Sequence, residues 1–346
     1  MRFAVVADDL SGAAEVASLA RGRGFRVELT RMQPPSADAE VWVCDTDTRN
    51  LPVVQVEERL RQVADWLIAS GSPGLFKKID SVLRGHPGLE AGVLASALTR
   101  DVWSVPGNVS LRRVVRDGQL WVEEIPLHQT AFASESGFAP QTSRVKDLWG
   151  TCAGYPQPAR WVEAEDEEGL HRELRNSANG LVAGARDAFR AWPPVRNDKE
   201  KDPGIGEIAM PDSLLMVCGS KTGWPDRARL AKERNWPIVL LEDLPEKLPD
   251  TALVGFGEAP LRPPDDKALA RAVAKRLRRN PLPELSVEGG ATASALFREM
   301  GWERFEVLRT CERDVAAVKP EGWEGRVWIK PGSYRWPPGL LQKLGT

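Results

Sequence analysis

The sequence has few of the residues that usually mark a metal site or a disulfide framework. It contains 4 cysteines and 3 histidines among 346 residues, and no two cysteines form a CxxC pair. A zinc site or a set of disulfides would need clustered ligands, so we expect ordinary thiols in a reducing compartment. The histidines are equally dispersed, at His86, His128 and His171. No resident metal ion is therefore predicted.

Long apolar runs and an excess of charge of one sign are also missing. The 47 basic and 49 acidic residues give a formal net charge of −2, which favours neither nucleic acid nor an anionic membrane. No apolar stretch approaches the length of about 18 residues that a membrane-spanning helix needs. The first residues, MRFAVVADDL, do not have the pattern of a signal peptide. We expect a cytoplasmic protein, and the oligomeric state stays open, a homodimer included.

The chain length and the order of apolar patterns predict two α/β domains. At about 100–200 residues per domain, 346 residues suffice for two. Residues 1–192 alternate strand-like and helix-like segments, which predicts a mostly parallel sheet flanked by helices. A hairpin at 114–122, with Asp117-Gly118 as its type I′ turn, interrupts this series. Residues 193–212 are rich in proline, glycine and charge and predict a linker, after which a second domain of the same class spans 213–346.

Two adjacent carboxylates follow the first predicted strand. In parallel α/β sheets ligands bind at the carboxyl ends of the strands, and here that end carries Asp8 and Asp9, followed by Ser11 and Gly12. Neighbouring carboxylates repel each other unless they face a metal, a hydroxyl-rich ligand or a cation. We therefore predict a binding role, with Ser11 as a helix cap. A plain helix start with solvated aspartates is the alternative.

A second charged cluster follows the predicted strand at 75–79. Arg84 can grip a carboxylate with two hydrogen bonds, Lys78 adds a positive charge, and Asp80 can accept a proton from a hydroxyl. This combination predicts a site for an anionic polyol. A cluster of surface ion pairs is the alternative.

The second domain has three turns that could hold a nucleotide. They are GSKTG at 219–223, GGATA at 289–293 and KPGS at 330–333. The middle one enters a helix, whose unpaired amides suit a phosphate. None is a Walker A motif or GxGxxG, so each could be a plain turn, but three in one domain favour a nucleotide. The missing dinucleotide fingerprint disfavours an oxidoreductase.

In this order, the segments resemble the four-carbon acid sugar kinase family, formerly a domain of unknown function and also labelled type III effector Hrp-dependent. The stretches that carry the resemblance are ADDLSGAAE at 7–15, CDTDTRN at 44–50, KKIDSVLRGH at 77–86, VPGNVSLRRVVRDGQLWV at 105–122, VCGS at 217–220, GGATA at 289–293 and KPGS at 330–333. The resemblance implies a sugar-acid-binding domain followed by an ATP-binding domain. The implied activity is Mg²⁺- and ATP-dependent phosphorylation of a hydroxyl on acids such as threonate or erythronate.

The resemblance and the residue chemistry together assign candidate roles. An aspartate, Asp80 or Asp9, is expected to orient and deprotonate the attacking hydroxyl. The expected substrate-binding residues are Asp8, Asp9, Ser11, Lys78, Asp80, Ser81, Arg84 and Gly85. The expected nucleotide-binding residues are Ser220, Thr222, Gly289, Gly290, Thr292, Lys330, Gly332 and Ser333. Mg²⁺ is expected to be held mainly by phosphates and water.

Two departures from the family pattern support a rival hypothesis. Ala291 stands where the family has an aspartate, and the segment after Lys330 lacks two of the family's glycines. A non-catalytic or regulatory relative, which binds sugar acid or nucleotide without turnover, is therefore the alternative to an active kinase. The sequence leaves the particular sugar acid and the phosphorylated hydroxyl open.

Overall fold

A computed structural model of the chain contains two compact units. One comprises Met1–Val16 and Arg23–Lys201, and the other comprises Ala17–Gly22 and Asp202–Thr346. The structure describes residues 1–71, 74–134, 138–150, 152, 154–193, 214–220, 223–257, 265–308 and 315–330. Apart from Pro193, the linker predicted at 193–212 lies outside the described residues.

Strands and helices alternate through most of the first part of the chain. In chain order they are β1 Phe3–Ala7, α1 Leu10–Gly22, β2 Val27–Arg31, β3 Val41–Asp45, α2 Val53–Ser70, β4 Gly74–Lys78, α3 Pro87–Leu98, β5 Val102–Val105, β6 Arg113–Arg116, β7 Gln119–Val122, β8 Ile125–Pro126, α4 Val145–Trp149, β9 Arg160–Trp161, α5 Glu167–Leu174, β10 Leu181–Gly184 and α6 Arg186–Ala191. This alternation confirms the predicted α/β class.

The main sheet of the first unit is parallel. Its strand order is β2-β3-β1-β4-β10-β5-β9. Ala7, the last residue of β1, pairs with Asp45 at the end of β3 and with Lys78 at the end of β4. Because these three strands end at the same level, the residues that follow them emerge at one edge of the sheet.

Side chains cover both faces of this sheet. On one face, alternate strand residues such as Val6 and Cys44 form a core with the apolar stripes of α2 and α3. On the other face, Phe76 packs edge-on against Phe189 of α6, with ring centroids 5.1 Å apart. Burial on both faces explains why β1 reads FAVVA, without a polar residue.

The hairpin lies where the sequence predicts it, and the structure adds elements that the sequence pattern did not indicate. Asp117 and Gly118 have φ angles of 49° and 69°, as a type I′ turn requires. The added strand β8 pairs with β7. The short α4, β9 and α6 were also not predicted, because elements of two to six residues are too short to show a periodicity.

The second unit contains a mixed sheet. Its elements are β11 Leu215–Cys218, α7 Trp224–Glu233, β12 Ile238–Leu240, β13 Ala252–Gly255, α8 Asp266–Arg279, β14 Glu284–Glu288, α9 Gly290–Met300, β15 Arg304–Leu308, β16 Ala316–Pro320 and β17 Arg326–Lys330. The strand order is β12-β13-β11-β14-β17-β16-β15, and β16 runs antiparallel to both of its neighbours. The sequence did not indicate β16, because its alanines have a weak strand preference and it ends in proline.

Two further observations concern the described residues as a whole. Cys44, Cys152 and Cys218 are free thiols, and burial raises the pKa of Cys44 and Cys218 to about 12. None of the described helices combines the length and the apolar character needed to cross a lipid bilayer.

Candidate active site

Arg49 joins the segments that follow β1 and β3. Its Nε donates to Asp8 Oδ2 at 2.7 Å, while its Nη2 donates to Asp8 Oδ1 at 3.0 Å and to Asp9 Oδ1 at 2.8 Å. One guanidinium therefore holds both carboxylates that the sequence predicted as a site. The repulsion between Asp8 and Asp9 is offset by this shared partner.

Backbone contacts fix the segment that carries Arg49. The amides of Thr48 and Arg49 both donate to the carbonyl oxygen of Asp8, at 3.0 and 3.2 Å. The Thr46 hydroxyl donates to the carbonyl oxygen of Ala7 at 2.8 Å. The 46–49 segment is thus tied to the end of β1 independently of the guanidinium.

Asp9, rather than Ser11, caps helix α1. Asp9 Oδ1 accepts from the amide of Gly12 at 3.0 Å, and the Ser11 hydroxyl donates to Asp9 Oδ2 at 2.5 Å. The prediction that Ser11 caps the helix was wrong, because α1 begins at Leu10, two residues before the start that a Ser11 cap requires. A Cβ on Gly12 would lie 2.7 Å from Asp9 Oδ1 and 3.3 Å from Lys78 Nζ. Glycine at this position therefore lets the helix start approach both charged groups.

Asp80 organises the turn after β4. Its Oδ2 accepts from the amide of Val82 at 3.1 Å, and its Oδ1 accepts from Arg84 Nη2 at 2.8 Å. Gly85 has a φ of +85°, and a Cβ there would lie 3.3 Å from Arg49 Cγ. The turn from Asp80 to Gly85 therefore packs against the residue that holds Asp8 and Asp9.

The electrostatics of this cluster keep two carboxylates ionised. Burial alone would raise the pKa of Asp80. The positive charges of Arg49, Arg84 and Lys78 outweigh this effect, so the pKa lies well below its ordinary value. The pKa of Asp8 is lowered in the same way, against burial, by Arg49 and then by Lys77. Both side chains are therefore permanent hydrogen-bond acceptors near neutral pH.

The predicted Lys78 and the additional Arg113 are also part of this network. Lys78 Nζ lies 3.4 Å from Glu15 Oε2 and donates to the carbonyl oxygen of Ile79 at 3.1 Å. Arg113 of β6 donates to the Ser81 hydroxyl at 2.5 Å, and its guanidinium lies over the ring of Phe132 at 5.2 Å. The structure brings the predicted substrate-binding residues together at this sheet edge: Asp8, Asp9, Ser11, Lys78, Asp80, Ser81, Arg84 and Gly85.

Arg49 and Arg113 are the residues that the sequence-based assignment of the site omitted. Arg49 lies in CDTDTRN, shortly after β3, and β3 pairs with β1, which is followed by two aspartates. This position was the signal that the sequence offered for Arg49. Arg113 lies in the segment 105–122 that carries part of the resemblance, but its contact with Ser81 could not be predicted, because it joins the hairpin sheet to the turn after β4.

In the second unit, the turn after β11 meets the beginning of α9. Gly289 precedes α9 with a φ of +105° and, as a glycine, supplies no side-chain cap to this helix. Thr292 of its first turn donates to Asp266 Oδ1. A Cβ on Gly219 would lie 2.6 Å from Asp266 Oδ1, so the turn backbone runs directly past this pair. The Ser220 hydroxyl accepts from the amide of Gly223 at 3.0 Å and shapes the same turn.

Lys330 is buried below this turn. Its Nζ lies 3.1 Å from Glu288 Oε1, and both side chains are 1% exposed. Arg227 Nε lies 3.1 Å from the other oxygen of Glu288. Burial lowers the pKa of Lys330. Thr222, Gly332 and Ser333, also predicted to bind nucleotide, lie outside the described residues.

Comparison with known families agrees with the position of the first cluster. A family model described as a sugar-binding N-terminal domain matches residues 3–179, about half of the chain. The chain belongs to the four-carbon acid sugar kinase family. All the residues that form the Arg49 cluster lie within the matched range, so the family's sugar-binding domain contains this site.

Relatives within the four-carbon acid sugar kinase family include named enzymes. A D-threonate kinase from Cupriavidus necator is 39% identical over 72% of this chain and 57% of the relative. A D-erythronate kinase from Heliobacterium modesticaldum is 33% identical over 42% of this chain and 34% of the relative. The matched regions span between 34% and 66% of the length of the curated relatives.

A solved structure shares the fold over the whole chain. It is a Haemophilus influenzae protein of the family DUF1537, with a TM-score of 0.73 and 15% identity, and the alignment covers 99% of each chain. At this identity, the likeness concerns the fold.

Proposed function

We propose that this chain transfers the γ-phosphoryl group of ATP to a hydroxyl of a four-carbon sugar acid such as threonate or erythronate. The observation that carries the proposal is the Arg49 cluster, in which one guanidinium binds Asp8 and Asp9 at a sheet edge and interacts electrostatically with Asp80. Carboxylate oxygens at one sheet edge can accept hydrogen bonds from the hydroxyls of a polyol. Named D-threonate and D-erythronate kinases among the relatives support the substrate class.

Asp80 is proposed to orient the attacking hydroxyl. Its lowered pKa makes it a weak base but a dependable acceptor. Phosphoryl transfer through a loose transition state needs orientation of the nucleophile more than strong base catalysis, so a weak base suffices. Asp9 is the second candidate for this role. Arg84, Lys78 and Arg113 are proposed to neutralise the carboxylate of the sugar acid.

The start of α9 is proposed to receive the phosphates of ATP. The N-terminus of a helix that begins after a glycine presents backbone amide donors. Gly219 lies next to it and has no side chain that would cover the backbone of the turn. Within the described residues no group of three or more His, Cys, Asp or Glu side chains could hold a metal ion. Mg²⁺ is proposed to arrive on the nucleotide, where it would neutralise the phosphate oxygens.

The direct test combines purified chain, ATP and Mg²⁺ with the threonate and erythronate stereoisomers. Erythritol and threitol, which have the hydroxyls but no carboxylate, serve as matched controls. We expect ADP release and a phosphorylated product, detected by mass spectrometry, for at least one acid and far less for the alcohols. The proposal fails if no acid gives product above the level without protein.

Binding without turnover is the second candidate function. It is favoured by Ala291, which leaves the start of α9 without the family's carboxylate, and by Lys330, whose ammonium is paired with Glu288. Calorimetric binding of ATP or of a sugar acid, together with no product in the assay above, would support this function instead.

A further inference from the structure

A fully buried ion pair lies beneath the Arg49 cluster. Lys77 Nζ of β4 is 2.7 Å from Glu90 Oε2 of α3, and the two side chains are 0% and 1% exposed. The other oxygen of Glu90 accepts from the Thr48 hydroxyl at 2.5 Å, and Thr48 itself is fully buried. Strand β4, helix α3 and the 46–49 segment therefore meet at one carboxylate.

Stability alone does not account for this pair. Removing two charges from water costs as much as, or more than, their attraction returns, and apolar pairs of similar volume are often at least as stable. The surroundings are apolar, since Leu75, Leu89 and Val93 belong to the same buried core. Methionine and leucine at positions 77 and 90 would suit such surroundings.

The pair is connected to the cluster by adjacent atoms. Thr48 precedes Arg49, and the amides of both residues donate to the carbonyl oxygen of Asp8. The Thr48 hydroxyl provides a further attachment of this segment, through Glu90. Lys77 holds Glu90 in place and also donates to the carbonyl oxygen of Lys78, at 2.8 Å.

We propose that the Lys77–Glu90 pair positions Arg49 for sugar-acid binding by holding the Thr48 hydroxyl. This inference rests on the proposed function and adds three positioning residues to it. The pair contacts no substrate and acts through the 46–49 segment. Its removal should weaken sugar-acid binding and leave nucleotide binding unchanged.

The first test uses two variants of Thr48. Thr48→Val keeps the shape and removes the hydroxyl, and Thr48→Ser keeps the hydroxyl. A displacement of Arg49 that costs the bound acid one hydrogen bond corresponds to about tenfold weaker binding. We expect T48V to raise the KM for the sugar acid by about this factor with the KM for ATP unchanged, and T48S to recover most of the loss.

The second test separates positioning from stability. The double variant Lys77→Met/Glu90→Leu removes both charges, so that neither is left unpaired, and the Thr48 hydroxyl keeps Thr46 Oγ1 as a partner at 2.7 Å. The variant should therefore unfold close to the wild-type temperature. Its KM for the sugar acid should nevertheless rise as in T48V. In both T48V and the double variant, hydrogen exchange of the peptide containing residues 46–49 should be faster than it is in wild type.

Each result decides the inference. The inference is overturned if the double variant keeps the wild-type sugar-acid KM and the wild-type rate of hydrogen exchange at residues 46–49. It is also overturned if T48V raises the KM values for ATP and for the sugar acid equally. If the double variant does not fold, the T48V and T48S pair decides alone. A wild-type chain that neither binds nor phosphorylates any acid overturns the proposed function and this inference with it, whereas an active wild type with unaffected variants overturns the inference only.

Discussion

At the scale of single residues, the site depends on geometry as much as on charge. Arg49 uses two nitrogens to reach three carboxylate oxygens on two aspartates. A lysine has the same charge but a single compact ammonium group, which cannot span both side chains. The planar fork of arginine is therefore what spaces Asp8 and Asp9.

We predict that Arg49→Lys raises the sugar-acid KM by about tenfold or more, because a displaced carboxylate misorients the bound hydroxyls. Steady-state kinetics with varied sugar acid measure this change. The matched control is Arg61→Lys, since Arg61 is an exposed residue of α2 that contacts Tyr155 OH. A wild-type KM for the Arg49 variant would contradict the role of the guanidinium fork.

The lowered pKa of Asp80 gives a signed prediction for stability. In the unfolded chain this carboxyl takes up a proton near its ordinary pKa of 3.8, while in the folded chain it stays ionised to lower pH. Its contribution to stability is therefore complete above about pH 5 and is lost as the pH falls below about 4. Asp80→Asn should be less stable than wild type by about 1.5–3 kcal/mol at pH 7.

Urea unfolding at several pH values measures that difference. The gap between wild type and D80N should narrow as the pH falls from 5 to 3. Asp38→Asn, at an exposed position, should show almost no gap at any pH. A gap that widens on acidification would mean that the folded state raises the pKa of Asp80.

At the scale of elements, the sequence predicted those structural features that depend on residues adjacent in the chain. Strand β1 could be predicted because burial on both faces of the sheet requires a continuous apolar run. The turn at Asp117-Gly118 could be predicted because two successive positive φ angles favour this residue pair. The contacts of Arg49 with Asp8 and Asp9 could not be predicted, because they depend on β3 pairing with β1 in one register. The burial of Lys330 likewise depends on its strand neighbour, Glu288.

The turn between β11 and α7 provides a test of the second unit. A Cβ on Gly219 would overlap Thr292 Oγ1 and lie 2.6 Å from Asp266 Oδ1. We predict that Gly219→Ala moves this turn away from the start of α9 and so weakens ATP binding, while overpacking lowers the stability of the fold by about 1–3 kcal/mol. Calorimetry measures the change. Gly22→Ala is the control, since nothing lies within 4 Å of its Cβ position. Unchanged ATP affinity in G219A would place the phosphates elsewhere.

At the scale of the whole molecule, the two units are proposed to hold different ligands. The Arg49 cluster lies in the unit that contains Arg23–Lys201, and the start of α9 lies in the unit that contains Asp202–Thr346. Mutations at sites that share no interaction partner usually act independently. A change at one ligand site should therefore leave the affinity of the other ligand nearly intact.

Asp80→Ala and Gly219→Ala test this division in opposite directions. Asp80→Ala should abolish turnover and weaken sugar-acid binding, while its ATP affinity stays within about twofold of wild type. Gly219→Ala should weaken ATP binding and keep the sugar-acid affinity. Calorimetry of each ligand in the absence of the other measures all four values. If either variant loses both affinities together, the two ligands share determinants, and the assignment of one ligand to each unit is wrong.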